Sequence, residues 1–261
     1  MRSASEKAHM RENEMSDTPC VILTATISVQ PDMCLTIRTD LSARLNDYRQ
    51  AFIKWLNNPS AERIVLVENS GHDLSEFITL ASRYPSKRVE FLSFKCVNFD
   101  GARGKGYGEM LCLDHVLRES KLLRESRHFV KASGRYYLRN IGELLDYLRL
   151  HSELHVVCDL KRNLTFADSR AFAASIQFLE NYLMPMRDLI DDSKGIYFEH
   201  VLARAAHKIM GEGRNWSMMP NLPEVEGIQA TRNRTYRLNF IELRVGRLFH
   251  YMQRGLLRSR K

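Results

Sequence analysis

Stretches rich in β-branched and aliphatic residues alternate along this chain with stretches whose apolar residues recur every three or four positions, and that alternation leaves few folds open. Val21-Ile-Leu-Thr-Ala-Thr-Ile-Ser-Val29 is too continuously β-forming for a strand with one wet face, and reads as a buried parallel strand. From Thr39 onward Leu41, Leu45, Tyr48, Phe52 and Trp55 follow at helical spacing, opened by a Thr-Asp cap and closed by Asn57-Asn58-Pro59. Arg63 to Glu68 makes a second strand, after which Asn69-Ser-Gly71 turns into a helix opened by Asp73-x-x-Glu76, with Pro85 beyond its end. Val89 to Phe94, His128 to Ala132 and Leu154 to Cys158 supply three more strands. Helices are expected over 109 to 124, after Asn140-x-x-Glu143, over 169 to 183 and from about Tyr197 to Met210. This order predicts an α/β fold with a mainly parallel central sheet flanked by helices, whose ligand site lies beyond the carboxyl ends of the strands.

The chain has 261 residues, enough for a large core without disulfides. Its five cysteines (Cys20, Cys34, Cys96, Cys112, Cys158) are scattered with no CxxC pair, which points to reduced thiols and away from a zinc knuckle. No apolar run reaches the roughly 18 residues that cross a bilayer, and MRSASEKAHMRENEMSDTP has no signal-peptide core. These features predict a cytoplasmic protein. The net charge of +8 is concentrated: residues 231 to 261 carry nine basic residues and one acid, so residues 1 to 230 balance at 30 against 30. The body is therefore not a general polyanion binder. Residues 1 to 18 are polar and expected to be disordered, 19 to 237 to form the main domain, and 238 to 261 a basic amphipathic helix.

Four of the thirteen glycines fall in Gly101-Ala-Arg-Gly-Lys-Gly-Tyr-Gly108, just before the helix expected from Glu109. Neither GxxxxGK[ST] nor a clean GxGxxG is present, which argues against a P-loop NTPase and an ordinary dinucleotide enzyme. The segment reads as a loop whose amides, with Lys105, approach an anion, or else as a plain glycine turn. Lys131-Ala-Ser-Gly134-Arg135-Tyr136 sets two cations at the end of a strand, either beside an anion or as surface ion pairs. Asp168-Ser-Arg170 fits a helix cap. Glu199-His200 lies in the first turn of an apolar helix, where the dipole favours a carboxylate and a histidine can pack on the core. It is not HExxH, and His200 and His207 stand seven apart, so no zinc site is expected.

The segments Val21-Ile-Leu-Thr-Ala-Thr-Ile, Val65-Leu-Val-Glu-Asn-Ser-Gly71, Gly104-Lys-Gly-Tyr-Gly-Glu109, Lys131-Ala-Ser-Gly-Arg-Tyr136 and Tyr197-Phe-Glu-His200 span about residues 20 to 235. In order and spacing they resemble the nucleotide-sugar glycosyltransferases of GT-A (Rossmann-like) fold, particularly bacterial enzymes of lipopolysaccharide and capsule biosynthesis. The resemblance implies a nucleotide-sugar donor and a glycan acceptor. It assigns Thr24, Thr26, Glu68 and Asn69 to the nucleoside, and Lys105, Gly106, Gly108, Glu109, Gly134 and Tyr136 to the donor. Glu199 matches the place of a base, and Asp168, Arg170 and His200 lie on the acceptor side. Where such enzymes carry Asp-x-Asp for a divalent metal this chain has Lys131-Ala-Ser-Gly-Arg135, so Lys131 and Arg135 are expected to stabilise the leaving diphosphate with no metal cofactor. Pro223 to Tyr236 resembles a late closing loop, which would bring Arg232 and Arg234 to the diphosphate. The last segment suits an anionic membrane surface, where a lipid-linked acceptor is found, but docking on the protein's own body or on RNA fits the same pattern. The alternatives are a non-catalytic glycosyltransferase-like scaffold and a sugar nucleotidyltransferase.

Overall fold

The computed structural model describes residues 16–29, 37–96, 100–228, 235–236 and 240–257. The chain builds a seven-stranded sheet in the order β10-β6-β9-β4-β1-β2-β3. Its strands are β1 (Cys20–Ala25), β2 (Arg63–Glu68), β3 (Arg88–Ser93), β4 (His128–Ser133), β6 (Val156–Val157), β9 (Ala171–Ser175) and β10 (Trp216–Ser217). Only β9 runs against its neighbours; Val21 sits between Ile64 of β2 and Val130 of β4 in parallel register. Every residue of β1, β2 and β4 is buried, which is why Val21 to Leu23 and Ile64 to Val67 read as continuous apolar runs rather than alternating ones; in β4 the polar His128, Lys131 and Ser133 are buried as well.

Helices cover both faces. On one, Ile22, Val65 and Phe129 pack against Met110, Leu113 and Val116 of α3 (Gly104–Glu119) and Phe198, Val201 and Leu202 of α7 (Phe198–Gly211). On the other, Val21, Leu23 and Val130 meet Tyr48, Phe52 and Trp55 of α1 (Leu41–Asn57) and Leu144, Leu145 and Leu148 of α5 (Ile141–Leu150). The Asp40 side chain accepts from Ala43 N at 2.7 Å and caps α1 as expected. The remaining helices are α2 (Ser75–Ala81), the single turn α4 (Lys121–Arg124), α6 (Ile176–Phe178) and α8 (Phe240–Leu257). A small antiparallel sheet joins β5 (Tyr136–Leu138), β11 (Val225–Ile228) and β12 (Thr235–Tyr236), and β7 (Leu160–Lys161) pairs with β8 (Phe166–Ala167).

The helix expected over 169 to 183 is half strand. Ala171-Phe-Ala-Ala-Ser175 slots between β6 and β4, and helical geometry begins only at Ile176, continuing through a π turn (Leu179–Leu183) and 3-10 turns (Met184–Leu189). Alanine favours helix locally, but two buried ladders satisfy this segment's backbone and outweigh that preference. α8 lies on the protein's own body: His250 is buried with Nε2 2.9 Å from the Met219 carbonyl, Arg247 pairs with Glu224, and Arg254 donates to the Pro220 carbonyl over the Tyr147 ring. The four described cysteines are free thiols, and burial pushes Cys20 and Cys158 up to about 12.

Candidate functional site

The carboxyl ends of β1 and β4 open a cleft at one edge of the sheet. Thr24 and Thr26 come from the first, Ser133 and Arg135 from the second, Arg44 and Tyr48 from α1, and Lys105 and Glu109 from the start of α3. Gly134 makes this closeness possible. Its N–H donates to the Thr24 carbonyl at 2.8 Å, and a Cβ there would stand 3.1 Å from that oxygen and 3.2 Å from the Tyr48 ring. The next residue, Arg135, is thereby turned over the cleft.

Arg135 is only 8% exposed, with its guanidinium carbon 5.7 Å from the Tyr48 ring centre and 6.0 Å from that of Tyr136. Its Nε and Nη1 meet no acceptor among the described residues. Burial alone would lower its pKa, but Tyr48, Tyr136, Glu109 and Asp47 together outweigh that and hold it above the ordinary value. Arg44, also buried, donates to the carbonyls of Ile27 and Arg38 at 3.1 and 2.9 Å and to that of Thr26. Burial and then the like charge of Arg135 lower its pKa, with Tyr48 and Asp47 opposing. Buried donors without acceptors cost about 1–3 kcal/mol, and the oxygens of a phosphate have the geometry that a guanidinium fork prefers.

Lys131 is not the free cation the sequence suggested. It is fully buried on the α3 side of β4, its ammonium paired with the Glu109 carboxylate and donating to the Ser169 carbonyl at 2.9 Å. A buried ammonium demands such a partner. Ser169 in turn donates through Oγ to Glu199 Oε1 at 2.8 Å, so Glu199, in the first turn of α7, and Glu109, on the cleft wall, belong to one polar network with Lys131 between them.

The glycine segment is also placed differently from the expectation. Gly104 to Gly108 form the first turns of α3 itself, and the anion against its N-terminus is a side chain, Asp192. The Gly106 N–H bonds that carboxylate, and Gly104, at φ +77°, sits so close that a Cβ would lie 2.1 Å from Asp192 Oδ2. Gly106 also lets Phe198 of α7 approach, a Cβ there meeting its Cβ at 3.1 Å, and the Gly108 carbonyl accepts from Asn69 Nδ2 at 3.0 Å. Asp192 is buried, and Oδ2 has no partner among the described residues. Burial pushes its carboxyl up to about 6, Lys105 and the Gly106 N–H opposing and Glu199 and Glu109 adding to the rise.

Other residues expected at the site are engaged elsewhere. Glu68 is fully buried and spends its carboxylate on the N–H groups of Ile27, Ser70 and His72, at 2.9 to 3.0 Å, which knits the ends of β1 and β2 together. The Tyr136 carbonyl accepts from Trp55 Nε1 at 2.8 Å. Asp168 precedes a strand rather than capping a helix, and pairs with Arg170 and Lys161. Burial raises its pKa, but these two cations hold the carboxyl well below the usual range. His200 accepts from Tyr197 N at 3.2 Å and stacks on the Tyr197 ring. None of Asp168, Arg170, Glu199 and His200 lines the cleft itself; Glu199 connects to it through Ser169, Lys131 and Glu109. Arg232 and Arg234 lie outside the described residues. Arg44, Tyr48 and Asp192 were missed as site residues; the available signal was Arg44 four positions before Tyr48, a charge on the helix face that packs inward.

Among the described residues no three His, Cys, Asp or Glu side chains converge as a metal-ligand group. No protein-family model matches the chain, and no curated protein is similar to it. Solved structures are similar at low identity. A cytidylyltransferase from Leptospira borgpetersenii is 11% identical at a TM-score of 0.45, over 79% of this chain and 77% of that one. A mannosyltransferase from Pyrobaculum calidifontis, in complex with GDP-Man and Mn2+, is 13% identical at 0.46, over 90% of this chain and 64% of that one. An inositol-1-phosphate CTP transferase from T. maritima is 15% identical at 0.45, over 92% and 98%.

Proposed function

We propose that this chain is a glycosyltransferase that holds the diphosphate of a nucleotide-sugar donor against Arg135 and transfers the sugar to a glycan hydroxyl. The observation that carries the reading is the Arg135 guanidinium, buried at the carboxyl edge of the sheet with two donor nitrogens and no acceptor among the described residues. Arg44 and Lys105 add positive charge to the same cleft. As the acceptor oxygen attacks the anomeric carbon, Glu199 takes its proton. The bond from that carbon to the diphosphate oxygen breaks, and the electron pair leaves with the nucleoside diphosphate, whose growing charge Arg135 stabilises. A divalent ion fits poorly beside an unpaired guanidinium, so the cationic side chains take over that task. Lys131 acts indirectly, by fixing Glu109 and Ser169, and Ser169 orients Glu199. The resemblance in the sequence supports an acceptor of the bacterial surface-polysaccharide type, carried on lipid.

The test is a thermal-shift screen of nucleoside diphosphates followed by transfer and hydrolysis assays on the matching sugar nucleotides in EDTA. Stabilisation by one nucleotide, turnover that survives chelation, and loss of turnover without loss of binding in Glu199→Gln are expected. Strict dependence on Mn2+ or Mg2+ overturns the role of Arg135. Release of pyrophosphate from a nucleoside triphosphate and a sugar phosphate would replace glycosyl transfer by nucleotidyl transfer. Nucleotide binding with no turnover on any donor would leave a scaffold.

A further inference from the structure

The amphipathicity of α8 is turned inside out. The hydrogen bonds and ion pair that hold it to the body run through Arg247, His250 and Arg254, with half-buried Leu243 on the same side. Six of its large apolar residues face the other way: Ile241, Val245, Leu248, Phe249, Met252 and Leu256 are 71%, 47%, 61%, 61%, 55% and 86% exposed. At about 100° per residue these six fall within a sector of about 100°, opposite His250. Apart from Tyr251 and Leu257 on the same helix, the other exposed large hydrophobics of the described residues are scattered singly, whereas these six form one continuous stripe, and such stripes mark a surface that something covers.

Charge selects the occupant. All of the chain's net charge of +8 is accounted for by residues 231 to 261, which contain this helix. A second copy of the chain laid on the stripe would bring two such segments together, at a repulsive cost. A polyanion such as RNA would answer the charge but leave the aliphatic stripe uncovered. An anionic lipid surface answers both: the stripe enters the headgroup boundary, and anionic headgroups offset the net positive charge of residues 231 to 261. Tyr251, 78% exposed on the flank about 60° outside the stripe, has the amphipathic ring that favours such a boundary. Among the described residues no helix is long and apolar enough to cross a membrane, so the helix would lie in the plane of the surface.

We propose that the outward face of α8 binds the surface of an anionic bilayer reversibly. The test is flotation of the full chain with phosphatidylcholine vesicles, with and without phosphatidylglycerol. Flotation only with phosphatidylglycerol, weakened by salt, is expected. The double substitution Leu248→Glu with Phe249→Glu should lower binding by about tenfold or more, while an unchanged circular dichroism spectrum and melting temperature show that the fold is intact, since both side chains are exposed. The proposal is overturned if the chain ignores anionic vesicles at low salt, or if the double variant still floats. It is also overturned if the chain is a dimer that this variant splits and vesicles do not bind, or if polyuridylate binds and vesicles do not. The assay needs neither donor nor turnover, so its failure leaves the donor cleft untouched, and a cleft that binds no nucleotide leaves this surface untouched.

Discussion

Arg44 and Arg135 lean on one ring: their guanidinium carbons stand 5.9 and 5.7 Å from the centre of Tyr48, and neither meets a carboxylate among the described residues. Two like charges held this close and this dry repel, as the depressed pKa of Arg44 reflects after burial itself. Under the proposed function, the donor diphosphate is the anion that offsets this cost.

Arg135→Met is therefore expected to leave the free protein within about 1 kcal/mol of the parent's stability, since it removes buried donors that have no acceptor together with the Tyr48, Tyr136, Glu109 and Asp47 interactions that favour the cation. The same variant should lose all stabilisation by nucleoside diphosphates. Arg135→Lys keeps the charge but not the planar fork, and should retain only a minor part of the effect. Urea denaturation and thermal shift with and without nucleotide read both quantities. A variant that is less stable and still binds nucleotide contradicts this account.

Glu109 and Lys131 behave as a unit. Removing the carboxylate in Glu109→Gln strands a fully buried ammonium, which costs about 3 kcal/mol or more in comparable pairs. The double variant Glu109→Gln with Lys131→Met should recover most of that loss, since no charge is left unpaired. Urea unfolding of the two single variants and the double variant closes the cycle, and additive losses would mean that the pair is not coupled.

The sheet and most helices were legible because their signals are local: β1 and β2 have continuous apolar cores (Val21 to Leu23 and Ile64 to Val67), and α1 has its stripe and its Asp40 cap. The strand β9 was not legible, because Ala171 to Ser175 becomes a strand only by pairing with β4 and β6, far away in sequence. The place of Arg135 at the carboxyl end of β4 was readable from its position after a strand and a glycine. The pairing of Lys131 with Glu109 was not, since nothing local brings a mid-strand lysine under the first turns of a helix. The glycines of α3 were misread for a related reason. Glycine density signals close approach of backbone to something, and here that something is Asp192 and Phe198 rather than a phosphate.

Asp192 supplies a pH signature. Its carboxyl is raised from 3.8 to about 6, first by burial, so the folded state holds a proton that the unfolded chain has already released over that interval. The stability that protonation brings is fully present below pH 3.8 and is lost as the pH rises through about 6. Asn imitates the neutral acid and can still accept from the Gly106 N–H, so Asp192→Asn should match the parent protein in acid and exceed it in melting temperature above pH 6. The gain should grow across the interval and then level off. Melting curves from pH 3 to pH 8 test this, and a gain that is constant with pH would show that Asp192 is ionised throughout, with Lys105 rather than burial deciding its charge.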